Sequence, residues 1–293
     1  MARDPDPQPP FRWNIASRPE LGGLPDAVEP ASSDWLLDEL RQTLAGILGL
    51  GDGGDLVFLG RSPELIFDLG RSLLADTGWR DRLRHLQMSL NTNEAQHLLR
   101  HENPGRQFMR GHLAAAGLSP QALLASPNPI ALVDVVDVGG TFGSLVTLLR
   151  DWTVEERLSW RDASRKLRLV GLVFRGKPSP KAWRWQQHAT WLDLLPSGAC
   201  KNLSLHGYLW RYLAVVGCKT TPPYGPDRWD GDEAASPNRH ADHLRGLAEA
   251  RWLYERGASR EQRLLLAEDM ARLPAMRRAW FRSLAGELRR PGA

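Results

Sequence analysis

Cysteine is scarce in this chain of 293 residues, which contains only Cys200 and Cys218. Two cysteines without a Cys-x-x-Cys pair argue against a disulfide framework and against a structural zinc site, so we expect two reduced thiols. No apolar run approaches the length needed to cross a bilayer, and the first residues carry no apolar signal core. We therefore expect a cytoplasmic protein with no membrane partner.

Lysine is also rare, and arginine supplies most of the basic charge. The net charge of +4 is modest, and the arginines do not form the block of like charges that is typical of a nucleic-acid-binding tail. We expect a solvated surface with local phosphate-binding exceptions and no nucleic-acid partner. Neither a Gly-x-Gly-x-x-Gly motif after a predicted strand nor a Gly-x-x-x-x-Gly-Lys motif followed by Ser or Thr is present, which argues against a third hypothesis, another Rossmann-like nucleotide-binding enzyme.

The most informative segment that is present spans residues 130–141, Ile-Ala-Leu-Val-Asp-Val-Val-Asp-Val-Gly-Gly-Thr. Residues 130–136 are mostly β-branched and predict a buried strand, and residues 141–152 have apolar positions spaced for a helix. Between them, Gly139 and Gly140 allow backbone amides to converge on a phosphate at a helix N-terminus. Asp134 and Asp137 would lie at the ligand end of the strand. The alternative is an ordinary strand-to-helix turn with two solvated carboxylates.

A second segment has a similar organisation. Residues 56–59 predict a strand, which ends in Gly60-Arg61-Ser62 before a helical pattern begins. Ser62 is a candidate N-cap, and Arg61 can donate charge-assisted hydrogen bonds to phosphate oxygens. A capped helix with a solvated arginine is the alternative.

The segment around Asp134 resembles the ribose-phosphate binding loop of the type I phosphoribosyltransferases. That signature consists of an apolar strand, two adjacent acids, two aliphatic residues, Asp or Thr, Thr, Gly, any residue and Thr. Asp134 takes the second acidic place, Asp137 takes the next acidic place, and residues 138–141 form the phosphate loop. Val133 stands where the family has its first acid, and Val138 stands in place of a threonine.

The resemblance implies an α/β fold, a Rossmann-like parallel sheet of the type I phosphoribosyltransferase kind flanked by helices. The implied enzyme is a pentosyltransferase that transfers the 5-phosphoribosyl group of phosphoribosyl pyrophosphate to a nucleobase-like or other heteroaromatic acceptor, with release of pyrophosphate. Asp134 would bind ribose hydroxyls or hydrated Mg2+, the implied cofactor, and Asp137 would accept a proton or a hydrogen bond from the acceptor. The 5'-phosphate would be bound at Val138, Gly139, Gly140, Thr141 and Ser144. The pyrophosphate would be bound at Gly60, Arg61 and Ser62.

The region before the signature is expected to contain a loop that closes over the reacting centre, as in the resembling family. We propose Arg106 and Arg110 as phosphate clamps in this region. His97 and His101 are spaced to share a metal on one helix face, but no third ligand is evident, and a solvated pair is the preferred interpretation.

In similar enzymes the segment after the next strand, predicted at residues 166–174, forms a hood over the nucleobase. Aromatic residues follow this strand at positions 183, 185, 191, 208, 210 and 212. They could form a stacking platform for a flat acceptor, or they could equally be core or interface anchors.

The domain organisation predicted from composition has three parts: an irregular N-terminal arm (1–32), an α/β core with the hood (33–218), and a linker with an added C-terminal helical unit (219–293). The sequence has helical patterns at 239–256 and 260–289, and this unit could cap the site, contribute to a homodimer or extend the core. Pro274 should split the second pattern, and Ser259 with Gln262 predicts a capping box.

A different class of function is also compatible with these residues. The fold could serve as a non-catalytic protein that senses phosphoribosyl pyrophosphate or a nucleotide and switches contacts of the C-terminal helices. Val133 and Val138 favour this alternative, whereas Asp137 and the turn at Arg61 favour an enzyme.

Overall fold

The computed structural model describes residues 10–30, 33–90, 105–176, 184–225 and 236–290. These residues form a five-stranded, all-parallel β-sheet in the order β2-β1-β3-β4-β5. The strands are β1 (Asp55–Leu59), β2 (Leu83–Leu86), β3 (Ile130–Val136), β4 (Leu167–Phe174) and β5 (Cys200–Leu205). The predicted α/β architecture with a parallel, Rossmann-like sheet is therefore confirmed for the described residues, and the bounds of β3 agree with the prediction.

Helices flank both faces of this sheet. They are α1 (Arg18–Leu21), α2 (Asp34–Leu50), α3 (Glu64–Leu73), α4 (Gly105–Ala115), α5 (Pro120–Ala125), α6 (Gly140–Glu155), α7 (Trp160–Ser164), α8 (Gly207–Arg211), α9 (Ala241–Gly257), α10 (Arg260–Ala271) and α11 (Ala279–Arg289). No helix in these ranges is both long and apolar enough to cross a bilayer. Cys200 and Cys218 are free thiols, as predicted.

Alternation along the strands gives the protein two hydrophobic cores. Successive side chains of a strand point to opposite faces, so Phe58 and Val133 join one cluster while Val57 and Leu132 join the other. The first cluster is covered by α2, α3, α9, α10 and α11, and the second by α4, α5, α6 and α7. Helix α3 follows β1 and α6 follows β3, so the chain leaves these neighbouring strands toward opposite faces.

The described part of the predicted N-terminal arm packs against the first core. Trp13 and Ile15 are buried there, and Arg12 donates to both carboxylate oxygens of Asp68 at 2.8 and 2.7 Å. Burial raises the pKa of Asp68 to about 6, although the adjacent Arg12 charge acts to lower it. These contacts join the segment before α1 to the helix that follows β1.

The C-terminal helices also pack on the first core. The predicted break at Pro274 is confirmed, since a 3-10 turn, Pro274–Arg277, separates α10 from α11. Ser259 caps α10 by accepting the N–H of Gln262, whereas the Gln262 side chain accepts from buried Arg41 at 2.8 Å instead of closing a capping box. Helix α10 is thus linked to α2. The predicted domain boundary at residue 219 stays a prediction.

Candidate functional site

The carboxyl ends of β1 and β3 open onto one cavity of about 520 Å³. In doubly wound α/β proteins, ligands bind where neighbouring strands send their connections to opposite faces of the sheet, as β1 and β3 do here. The lining residues are Leu59, Gly60, Arg61, Ser62, Met88, Ser89, Leu90, Asp134, Thr141, Ala214, Lys219, Pro223 and Gly225. The two segments that were predicted separately, one after each strand, therefore meet at this cavity.

The turn after β1 depends on Gly60. Its φ is +67°, and a Cβ at this position would lie 2.8 Å from the carbonyl oxygen of Met88. The Gly60 N–H donates to Leu86 O at 2.8 Å, and the Gly60 carbonyl lies 2.7 Å from His85 Nε2. The end of β2 thus sets the path of the backbone that leads into Arg61 and Ser62.

The proposed N-cap role of Ser62 is wrong. Helix α3 begins at Glu64, Pro63 occupies the capping position, and the helix has no side-chain cap. Both Arg61 and Ser62 line the cavity. Arg61 also donates from Nη1 to the carbonyl oxygen of Thr221 at 3.3 Å, and this bond helps to orient its guanidinium.

Asp134 is the acidic residue of the cavity lining, and it is only 7% exposed. Burial raises its pKa to about 7, whereas hydrogen bonds from the Val135 N–H and the Thr141 side chain act in the opposite direction. Val133, in the place of the family's first acid, is fully buried in the opposite core, because adjacent strand residues face opposite sides. The site consequently offers one carboxyl group, and near neutral pH that group is only partly ionised.

The turn after β3 has one of its two glycines, Gly139, in the left-handed region. Gly139 is the N-cap of α6 with a φ of +79°, and a Cβ there would lie 2.5 Å from Trp185 Cε3. The close approach of this indole explains why a residue without a side chain is required. The first residue of α6 is Gly140, so the helix N-terminus directly follows this turn, and Thr141 lines the cavity.

The other predicted residues of the signature are not among the lining residues of the cavity: Asp137, Val138, Gly139, Gly140 and Ser144. Asp137 and Val138 are exposed beyond the end of β3, and Val138 is 62% exposed. Ser144 is buried within α6, and its Oγ has no hydrogen-bond partner among the described residues. The structure therefore brings Asp134 and Thr141 together with the turn after β1, but it does not bring Asp137 into the cavity wall.

The structure does not bring Arg106 and Arg110 to the cavity. Arg106 forms ion pairs with Asp151 and Glu155, and Arg110 pairs with Glu155. These acids lie near the C-terminal end of α6, and at 1.5 Å per residue Glu155 is about 20 Å along the helix from Thr141. The two arginines join α4 to α6. His97 and His101 lie outside the described residues.

Lys219 is a lining residue that the sequence did not predict. It belongs to a segment, residues 218–225, that the composition assigned largely to a linker. Thr220 donates from its N–H and its hydroxyl to the two carboxylate oxygens of Glu64, at 2.8 and 2.7 Å. The carbonyl oxygen of Tyr224 accepts the N–H of Ser89 at 2.8 Å. Lysine is rare in this sequence, and that rarity is the feature that could have drawn attention to Lys219.

The aromatic residues divide between core and surface. Trp185 is 3% exposed and stacks on Trp191, so it belongs to the second core. Trp210 donates from Nε1 to the carbonyl oxygen of Val136 at 3.3 Å, at the end of β3. Phe174 and Tyr208 are more than half exposed, at 56% and 63%. Trp183 lies outside the described residues.

The described residues contain no group of three or more His, Cys, Asp or Glu side chains that could hold a metal. Magnesium usually keeps several waters and binds one or two carboxylates together with substrate phosphates, so Asp134 alone fits a hydrated ion brought by a phosphorylated ligand.

No family model, curated protein or solved structure matches this chain.

Proposed function

We propose that this protein is a phosphoribosyltransferase of the type I kind. It would transfer the 5-phosphoribosyl group from phosphoribosyl pyrophosphate to a nucleobase-like or other heteroaromatic acceptor and release pyrophosphate. The observation that carries the proposal is that Arg61 and Ser62, after β1, line the same cavity as Asp134 and Thr141, after β3. A ligand with two phosphate-bearing ends and a sugar between them suits such an arrangement.

The two ends of the cavity would have different roles. The Thr141 hydroxyl and the backbone amides at the start of α6 would bind the 5'-phosphate, because a helix N-terminus favours an anion. Arg61 would compensate charge on the departing pyrophosphate through charge-assisted hydrogen bonds. Positive charge builds on the sugar ring as the anomeric carbon–oxygen bond breaks, so this placement and charge compensation are the main contributions of the protein.

Asp134 would bind the ribose hydroxyls or a hydrated Mg2+. When bound, Mg2+ would neutralise phosphate charge and orient the leaving group. Asp137 would approach from the exposed end of β3 and accept a proton or a hydrogen bond from the incoming acceptor. Phe174 and Tyr208, which are more than half exposed, would be the rings on which a flat acceptor stacks.

A non-catalytic sensor of phosphoribosyl pyrophosphate or a nucleotide is the second candidate. Two observations favour it: Asp137 does not line the cavity, and Val133 removes the second carboxylate that the family uses to grip the ribose. In this alternative, ligand binding would change the contacts of the segment at residues 218–225, which leads toward the C-terminal helices.

Pyrophosphate release distinguishes the two candidates. The full-length protein would be incubated with Mg2+, phosphoribosyl pyrophosphate and a panel of heteroaromatic acceptors, beside Asp137→Asn and a control, Asp162→Asn, in the exposed part of α7. We expect release with at least one acceptor, a loss of about 100-fold or more in Asp137→Asn, and no change in the control. Binding of phosphoribosyl pyrophosphate without turnover would favour the sensor, and the absence of binding would contradict both candidates.

A further inference from the structure

Lys219 brings a second basic side chain to the cavity that contains Arg61. The two residues are far apart in the sequence, and Lys219 lies after the last strand of the sheet. Their charges interact, since the positive charge of Arg61 is among the factors that lower the pKa of Lys219. The cavity therefore has a basic region formed from two separate parts of the chain.

The backbone around Lys219 is tied to the turn after β1. Thr220 forms two hydrogen bonds with Glu64, which is the first residue of α3. Thr221 accepts from Arg61 Nη1 through its carbonyl oxygen and from Gln87 Nε2 through its hydroxyl, at 3.3 and 2.6 Å. The position of Lys219 relative to Arg61 is consequently determined by the fold and does not depend on a bound ligand.

The ammonium group of Lys219 retains capacity for a ligand. Its Nζ donates to Leu213 O at 2.6 Å, and an ammonium has three donors. Burial is the largest factor that lowers its pKa, Arg61 lowers it further, and Glu64 acts in the opposite direction. A cation in this environment is stabilised when an anion enters beside it.

We propose that Lys219 is an anion-binding residue of this cavity and acts beside Arg61 on the pyrophosphate group of a phosphorylated ligand. The identity of that ligand rests on the proposed function, whereas the role of Lys219 requires only that the cavity bind pyrophosphate. If Lys219 only satisfied the carbonyl group of Leu213, its replacement would leave anion affinity unchanged.

Calorimetry with inorganic pyrophosphate tests this role in the full-length protein. The variants are Lys219→Met, which removes the charge, Lys219→Arg, which keeps it, and the control Lys166→Met. Lys166 also donates to a backbone carbonyl, Ser126 O at 2.7 Å, but it lies beside the opposite, amino ends of the strands. We expect the affinity to fall about 10- to 100-fold in Lys219→Met, as for a charge-assisted hydrogen bond, and far less in Lys219→Arg or Lys166→Met.

Equal affinity in Lys219→Met and the unaltered protein would overturn the inference, as would the absence of pyrophosphate binding to the unaltered protein. Amine labelling of the unaltered protein gives a result even if Lys219→Met does not fold: pyrophosphate should protect Lys219 and leave Lys166 labelled as before. Equal labelling of Lys219 with and without pyrophosphate would also overturn it. If pyrophosphate binding depends on Lys219 while no acceptor supports turnover, the inference stands and the transferase proposal fails.

Discussion

The raised pKa of Asp134 predicts an unusual pH dependence of stability. This carboxyl group is 7% exposed, and burial raises its pKa to about 7 despite two hydrogen bonds. The folded protein therefore keeps a proton that the unfolded chain, with an ordinary pKa near 4, releases between about pH 4 and pH 7. Because the folded state binds more protons over this range, the contribution of Asp134 to the free energy of unfolding falls as the pH rises.

The replacement Asp134→Asn should remove this dependence. Asparagine has nearly the same shape and cannot ionise, so the variant avoids burial of a charge. A pKa raised by about 3 units lowers the free energy of unfolding by about 4 kcal/mol once the pH exceeds the pKa of the folded protein. At about pH 5 the same effect is near 1.5 kcal/mol, since the folded group is still protonated there. We expect the stability of the variant relative to the unaltered protein to increase by about 2 to 3 kcal/mol from pH 5 to pH 8.

Denaturant unfolding at the two pH values measures this difference, with Asp162→Asn as the control for an exposed aspartate. When the variant and the unaltered protein are compared at the same pH, the contributions of the other titrating groups to the free energy of unfolding cancel to first order. A difference in unfolding free energy that does not change with pH would refute the assigned burial effect. Binding of phosphoribosyl pyrophosphate should also strengthen as the pH rises through the raised pKa of Asp134, about 7, because Asp134 must ionise to bind Mg2+.

Three further replacements test the surroundings of the site. Gly139→Ala should destabilise the fold by about 2 to 4 kcal/mol, because it adds left-handed backbone strain and a clash with Trp185. Gly111→Ala is the control, since Gly111 lies at an open position in α4, and it should stabilise the fold by about 1 kcal/mol. Thermal or denaturant unfolding checks both, and a neutral Gly139→Ala would contradict the close packing. Arg106→Met should lower stability by about 1 to 2 kcal/mol through the lost pairs with Asp151 and Glu155, yet leave pyrophosphate affinity unchanged. A marked loss of that affinity would restore the clamp hypothesis.

Local sequence was sufficient for the elements that position the site. The run of β-branched residues at 130–136 predicted β3, and the glycines after it predicted the start of α6. The meeting of the two turns also follows from local patterns, because the carboxyl ends of parallel strands share one edge of a sheet. The alternation over residues 84–90 also predicts a strand, but β2 pairs only over Leu83–Leu86.

Features that depend on tertiary packing were not predictable. Arg106 and Arg110 had the expected chemistry of phosphate ligands, but the packing of α4 against α6 places carboxylates beside them. Lys219 lies in a stretch rich in proline and glycine, whose composition resembles a linker. Its place at the cavity depends on Thr220 and Glu64, a contact between residues that are distant in the sequence.

A crystal structure of the protein soaked with phosphoribosyl pyrophosphate and Mg2+ would show where the ligand binds. We expect the 5'-phosphate at the start of α6 near Thr141, the ribose beside Asp134, and the pyrophosphate between Arg61 and Lys219. A ligand bound elsewhere, or a cavity that stays empty at saturating ligand concentration, would contradict this expectation.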